Sequence, residues 1–432
     1  MASIFQNRVT RNTAWIVVCK AVQAVIGLLI SMVTTRYLGP TRYGMINYAA
    51  SLVLFLGPIG QLGFSATLVH ELIRKPEDEG KILGTSIVMT LISSLLCVMG
   101  ISVFVHLTDA DSPITVLVCK LYSLLLMAQS LELIQYWFQA KLLSRIASLV
   151  TLGAYVLISG FQLIVLLMHD NLGLYAVSKA LEHTLIALVL VVFYLRMGGK
   201  KLAVSLTKAK ELLHNSWPFI LSSLMVMALG QSDRIMLKNM LGDTPTGYYS
   251  AAVLCANLTD FVFFALIDSM RPVIFEAKQK DRSQYENGIS TLYSMMIYLA
   301  LIQSVAITLF ARPMVYIVCG QAYEGSVRTL QIIVWYTAFS YIGSARNVWI
   351  MAEGKQNLLW FINLCGAVGN ILLNLLMIPV WGIEGAAVAS LITQIFVNVI
   401  MGFWLRPLRD NNLLLLNGTN PRLITSFLRG KI

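Results

Sequence analysis

Apolar runs of about 20–27 residues, each long enough to cross the hydrocarbon core of a bilayer, follow one another along nearly the whole chain. They fall near 14–38, 44–70, 82–107, 114–138, 147–168, 172–196, 217–240, 247–271, 289–311, 328–351, 357–379 and 384–405. Backbone polar groups in lipid must be satisfied within their own segment, so each run is expected to be an α-helix. Composition agrees: of the 432 residues, 57% are hydrophobic and 12% charged, against about a quarter charged in a soluble domain. The first run is too long and too polar-flanked for a cleaved signal, and no small-residue cleavage site follows it cleanly. The expected fold class is all-α, a polytopic membrane protein of about twelve transmembrane helices.

The chain also repeats itself. Leu38-Gly39, four residues and Gly44 return as Leu241-Gly242, four residues and Gly247. Phe193-Tyr194-Leu195-Arg196 and Phe403-Trp404-Leu405-Arg406 close the two halves. Two membrane-embedded halves of similar plan are the usual architecture of a transporter. The expected division is a six-helix bundle over 1–196, a cytoplasmic linker over 197–216, a second six-helix bundle over 217–405 and a basic cytoplasmic tail over 406–432. In the linker, Leu202, Leu206, Ala209 and Leu213 recur at helical spacing with Lys208 and Lys210 off that face, as in a short amphipathic helix on the membrane surface. The segment reads either as a flexible strap between the halves or as a plain connecting loop.

Basic residues set the orientation. Arg8, Arg11, Arg74, Lys75, Lys81, Lys141, Arg145, the group from Arg196 to Lys210, Arg271, Lys278, Lys280, Arg282, Lys355 and the tail from Arg406 to Lys431 fall on one side. Of 32 Lys and Arg, the other side holds only Arg36, Arg42, Lys238, Arg312 and Arg328. The positive-inside rule then places both termini in the cytoplasm. The formal charge of +11 is explained by topology and by attraction to anionic lipid heads, without nucleic acid. Cys19, Cys97, Cys119, Cys255 and Cys365 sit inside apolar runs without metal or redox spacing, and Cys319 lies near the outer face. With no metal cluster, phosphate-cradling glycine loop or nucleophile motif, neither a metal, a cofactor nor a catalytic residue is expected.

Charged side chains within lipid are costly and normally face a wet cavity or a partner. Five cations, Lys20, Lys120, Lys179, Arg234 and Arg346, lie within spans on several helices and at more than one depth. That is the pattern of a cationic, water-filled passage for an anionic cargo. Lys179, Glu182 and His183 share one face of the sixth span at i, i+3 and i+4. Asp233 and Arg234 are neighbours about 100° apart and need not pair. Glu132, Asp260 and Asp268 complete the in-span set. Glu182, His183, Asp233 and Asp260 are the candidates for proton or ion coupling. The alternative is that these charges pair with one another as buried glue, or that Lys20, Arg346 and Glu132 snorkel to the inner surface. Gly57-Pro58 with Gly60 and Gly63 reads as a bend in the second span or as close packing through small faces. Asn363, Asn370 and Asn374 form a stripe in the eleventh span that either lines a polar path or bonds neighbouring helices.

Several motifs carry a family resemblance. They are Arg36-Tyr37-Leu38-Gly39-Pro40 with Tyr43-Gly44, Asn215-Ser216-Trp217-Pro218, Asp233-Arg234-Ile235-Met236-Leu237 with Leu241-Gly242, Gly247-Tyr248-Tyr249 with Ala251-Ala252, and Trp381-Gly382-Ile383-Glu384-Gly385-Ala386-Ala387. In this order the chain resembles the oligosaccharide flippases of bacterial polysaccharide synthesis, within the multidrug/oligosaccharidyl-lipid/polysaccharide exporter superfamily. The resemblance covers nearly the whole chain. It implies two pseudo-symmetric six-helix bundles around a central cationic cavity. It also implies movement of an undecaprenyl-pyrophosphate-linked oligosaccharide, an O-antigen or capsule unit, from the cytoplasmic to the periplasmic leaflet of the bacterial inner membrane. The protein would be a monomer, and its partners would be membrane lipids, the lipid-linked unit, the polysaccharide polymerase and the chain-length regulator. On this view Lys20 and Arg346 receive the head and Lys120, Lys179 and Arg234 pass it outward. A multidrug or cation exporter of the same superfamily would share the fold, but the positive in-span set argues against cationic cargo. A membrane-embedded polymerase or ligase usually needs a larger outer loop than Arg312 to Val327.

Overall fold

The computed structural model describes residues 2–168 and 171–424, with side chains from Trp15 onward apart from Val17 and Ala66. The side chains of Arg8 and Arg11, and the residues Arg429 and Lys431, lie outside the described residues. All regular structure among the described residues is helical. Nine helices there are long and apolar enough to cross a membrane. Two of them, Val18–Gly60 and Gln356–Trp404, are each a pair of helices joined at a glycine. Ser326–Ala352 adds a further helix of 27 residues. Each expected span therefore overlaps one of twelve long helices: α1 (2–38), α2 (40–60), α3 (Glu79–Thr108), α4 (Pro113–Leu131), α5 (Ser144–Leu167), α6 (Leu172–Arg196), α7 (Leu206–Leu241), α8 (Asp243–Lys280), α9 (Arg282–Leu309), α10 (Ser326–Ala352), α11 (359–381) and α12 (383–404).

The repeated Leu-Gly has a backbone cause. Gly39 (φ 67°, ψ 174°) joins α1 to α2, and Gly242 (φ 94°, ψ −170°) joins α7 to α8. Gly382 (φ 61°, ψ −134°) joins α11 to α12. Positive φ with extended ψ is a region that glycine alone enters without strain. One such residue turns the chain and the next helix starts at once. A Cβ at Gly39 or Gly242 would meet nothing within 4 Å, so the requirement is torsional rather than steric. The buried Lys238 ammonium clasps Asp243 at 3.1 Å across the second of these corners.

The chain forms two compact units, 1–231 and 232–432. The division lies within α7. In the first unit Phe64, Leu68, Ile82, Leu133, Phe138 and Tyr194 pack around Trp137. The Trp137 ring meets Phe138 and Tyr194 edge-on at 5.0 Å between centroids, and its Nε1 donates to Glu79 Oε2 at 3.1 Å. α2 ends at Gly60, earlier than its apolar run, where Leu62 and Gly63 turn the chain at φ 51° and 63°. Ser93 Oγ donates to Ile59 O at 2.7 Å, satisfying a carbonyl that the helix end leaves open. A Cβ at Gly63 would stand 3.1 Å from Ser216 O. The glycine-rich stretch is thus a helix end packed closely on α7, and no mid-helix bend.

Residues 200–205 lie along the start of α3. Ala203 N donates to Gly80 O at 3.1 Å and Ser205 N to Thr85 Oγ1 at 3.0 Å. A Cβ at Gly80 would fall 2.3 Å from Lys201 O, and one at Gly84 2.4 Å from Ala203 O, so these two glycines permit the docking. The surface helix read within 197–216 is instead the first part of α7, which continues through Pro218. Lys208 meets Asp78 at 3.0 Å, and Asn215 Nδ2 donates to Glu71 Oε1 at 3.2 Å. The segment is fastened to the first unit rather than hanging free.

In the second unit Phe263, Tyr285, Leu292, Tyr293, Trp349 and Ile362 form the core. α12 contains a π turn at Phe396–Ile400. Such a turn disturbs the regular hydrogen-bond ladder, and side chains from elsewhere in the unit bond its carbonyls. Arg346 Nη1 donates to Val397 O at 2.7 Å and Asn412 Nδ2 to Val399 O at 2.8 Å.

Gly242→Ala is expected to lower unfolding stability by about 1–3 kcal/mol. Gly230→Ala, within α7 and with no neighbour near a Cβ, should leave it equal or slightly higher. Thermal unfolding in detergent, followed by circular dichroism, compares the two; equal melting temperatures would refute the torsional account.

Candidate functional site

Three helices of the first unit each turn one stripe toward a cavity of about 420 Å³. α1 supplies Ile16, Cys19, Lys20 and Gln23. The short helix Gln135–Ala140 supplies Gln135 and Gln139, and α5 supplies Ser144, Ala147, Ser148 and Thr151. Spacings of three, four and seven put each set on a single helix face. Thr151 Oγ1 donates back to Ala147 O at 2.9 Å. The side chains of Gln23, Gln135, Gln139, Ser144 and Ser148 make no hydrogen bond to other described residues, and Lys20 makes no ion pair there. Polar groups inside a membrane protein without protein partners need water or a ligand. The cavity is therefore a wet site carrying one positive charge.

The other expected residues of this unit lie elsewhere. Lys179 Nζ is 2.9 Å from Glu182 Oε2 and 5.3 Å above the Tyr155 ring. His183 Nδ1 pairs with Glu132, which opens the 3₁₀ turn Glu132–Ile134 at the end of α4. The shared face of α6 is thus engaged in two short-range pairs, and none of its members lines the cavity. Lys120 is exposed on α4. Of the three cations in this unit, the cavity takes only Lys20.

The second unit buries a closed polar ring around Asp233, which is 6% exposed. Asn374 Nδ2 donates to Asp233 Oδ1 at 2.7 Å, Ser390 Oγ donates to Oδ2 at 2.6 Å, and the Tyr249 hydroxyl also donates to Oδ2. Asn370 Nδ2 donates to Ser390 Oγ at 3.0 Å, and Asn370 Oδ1 accepts from Ser232 Oγ at 2.6 Å and Asn374 Nδ2 at 3.0 Å. The Asn370 and Asn374 stripe thus bonds α11 to α7 and α12. Three donors converging on a carboxylate are what a charge away from water requires.

Asp260 begins the second part of α8, after a 3₁₀ turn at Asn257–Thr259, and accepts from the Tyr341 hydroxyl. Asp268 is exposed and pairs with Arg271 at 3.1 Å. Arg234 is half-buried on α7. Arg346, expected to receive a head group, is buried and engaged with Val397 O, where it holds the π turn. Outside the spans, burial pushes the Glu353 carboxyl up, but the hydrogen bond from Lys278 and the charges of Lys278 and Arg282 outweigh it and hold the group below the usual carboxylate range.

Reading the sequence for charge finds Lys20 and Asp233 but misses the amides and hydroxyls around Lys20. Their signal is the helical stripe in each segment, Gln135 with Gln139 and Ser144 with Ser148. Ser390 has no signal of its own.

The architecture is that of a multi-pass transport protein. It superposes over 96% of the chain on 92% of the lipid II flippase MurJ in an inward closed conformation, with a TM-score of 0.75 and 13% identity. Over 90% of the chain it superposes on 95% of an inward-facing multidrug resistance MATE family transporter of the MOP superfamily, with a TM-score of 0.63 and 15% identity. At these identities the likeness is one of fold. The chain itself belongs to the polysaccharide biosynthesis protein family, whose model matches residues 9–278. A curated relative, an uncharacterized membrane protein of Methanocaldococcus jannaschii, is 26% identical over 192 residues, 44% of this chain and 44% of that protein. The match therefore spans less than half the length of that relative.

Ser390→Ala removes one donor to Asp233 and one acceptor of Asn370, and should cost about 1–3 kcal/mol of unfolding free energy. Unchanged stability in detergent would show the ring to be slack. The lowered Glu353 pKa adds stability that is complete above the ordinary glutamate range and is lost as pH falls through the lowered value. Glu353→Gln should flatten that acid limb in melting curves taken against pH.

Proposed function

We propose that this protein is a flippase. Its cargo is an undecaprenyl-pyrophosphate-linked oligosaccharide, an O-antigen or capsule unit, carried from the cytoplasmic to the periplasmic leaflet of a bacterial inner membrane. The observation that carries this reading is the Lys20 cavity: a polar, singly charged site among membrane-spanning helices in a member of a polysaccharide biosynthesis family. The head of such a cargo has to cross the hydrocarbon layer while its lipid tail stays in it. Exchanging the water around the head for fixed amides, hydroxyls and a positive charge lowers that barrier. Binding must stay weak enough for release, and the site is exposed to the two faces alternately.

Lys20 meets the phosphate, with Lys120 and Arg234 as further contacts. Lys179 and Arg346 join when Glu182 and Val397 O release them in another state of the cycle. Asp233 is the leading ion-coupling group, ahead of Glu182, His183 and Asp260. Its ring of carboxylate, amide and hydroxyl oxygens suits a proton or a monovalent cation. Asn374 Oδ1 is buried there and has no donor among the described residues. A cation entering would replace the bonds from Tyr249 and Ser390 and loosen α7 from α8 and α12. A polymerase and a chain-length regulator are the partners that would act on the delivered units.

A deletion strain should accumulate lipid-linked units on the cytoplasmic leaflet, and the wild-type gene should clear them. Lys20→Ala should export about tenfold less or worse, the scale of one lost charge-assisted hydrogen bond of ~1.5–3 kcal/mol. Asp233→Asn should bind cargo but export independently of the ion gradient or not at all. Failure of the wild-type gene to clear the units would remove the flippase reading.

A further inference from the structure

We infer that the Lys20 cavity reads the sugar nearest the diphosphate, with Gln23, Gln135 and Gln139 as its specificity-determining residues. The inference rests on the flippase reading and assigns a part of the cargo to this site. A pocket for the diphosphate alone would gather several cations, because each phosphate oxygen sheds water only against strong donors. Here one ammonium stands among three amides and three hydroxyls. An amide offers a donor and an acceptor at fixed positions, and so does every sugar hydroxyl or acetamido group. The donor set therefore matches a saccharide, with Lys20 left for the adjoining phosphate.

The remaining walls fit the same ligand. Ile16, Cys19 and Ala147 give an apolar surface for the C–H face of a pyranose ring. The volume of about 420 Å³ lies within the usual span of small-molecule sites, about 300–1,000 Å³. The two glutamines of the short helix are also held in place. Trp137 and Phe138 between them are 4% and 0% exposed, locked into the core of the unit. Gln135 and Gln139 thus present their amides from a fixed helix face, the preorganisation that selection between similar sugars needs.

The test uses the full-length protein in lipid nanodiscs. Three probes are titrated: undecaprenyl diphosphate, the same lipid bearing one hexose, and the same lipid bearing one N-acetylhexosamine. The wild type should separate the best from the worst probe by about tenfold or more, since a site built to hydrogen-bond a group rejects the analogue lacking it. Gln23→Ala/Gln139→Ala should bind all three at the affinity of the bare diphosphate. Lys20→Ala should weaken all three by one common factor and keep their order. Gln139→Glu, which keeps size but loses the donor, should change the order of preference, and circular dichroism confirms that each variant is folded. If the wild type binds none of the probes, the flippase reading itself fails. If the wild type binds them without discrimination, or the glutamine variants keep its preference, the sugar assignment fails and the flippase reading stands.

Discussion

A polar atom inside the hydrocarbon layer has to find a partner within the protein or reach water, because lipid offers neither donor nor acceptor. The two units meet this constraint in different ways. In 232–432 the partners are internal. Asp233 is surrounded by Tyr249, Asn374 and Ser390, and Arg346 and Asn412 bond carbonyls of the π turn in α12. In 1–231 some polar groups pair in the same manner, as Lys179 does with Glu182. Three amides and two hydroxyls beside Lys20 do not, and a cavity stands in front of them. One unit has the character of a cargo site and the other that of a tightly bonded switch.

The duplicated sequence makes this division more informative. Gly39 and Gly242 place the same one-residue corner at the same point of each half. The helices that follow from those corners share a plan, while the polar residues set on them do not. The repeat therefore supplies the scaffold, and the departures from it mark where chemistry was added. Asp233 stands nine residues before its glycine, where the first half has Ile30.

Much of the fold was legible because apolar runs and positive φ glycines leave strong marks in a sequence. Breaks inside the runs were not. The 3₁₀ turns at Glu132–Ile134 and Asn257–Thr259 interrupt α4 and α8 without a proline or glycine to announce them. At the site, charge betrayed Lys20 and Asp233, and the asparagine stripe betrayed the ring. Arg346 shows the limit of that approach. Its charge is visible in the sequence, but the carbonyl that satisfies it exists only because α12 changes its hydrogen-bond pattern at Phe396–Ile400. The amides around Lys20 escaped notice because they come from three segments and lie near helix ends, where polar residues are ordinary.

The contrast between an open polar site and a closed one can be measured directly. With the six native cysteines replaced, single cysteines at Gln139, Ser148 and Ser390 would be exposed to a charged methanethiosulfonate reagent in membrane vesicles. The account predicts rapid modification at 139 and 148, slowed by lipid-linked saccharide, and none at 390. Modification at 390 with protection at 139 and 148 would contradict it.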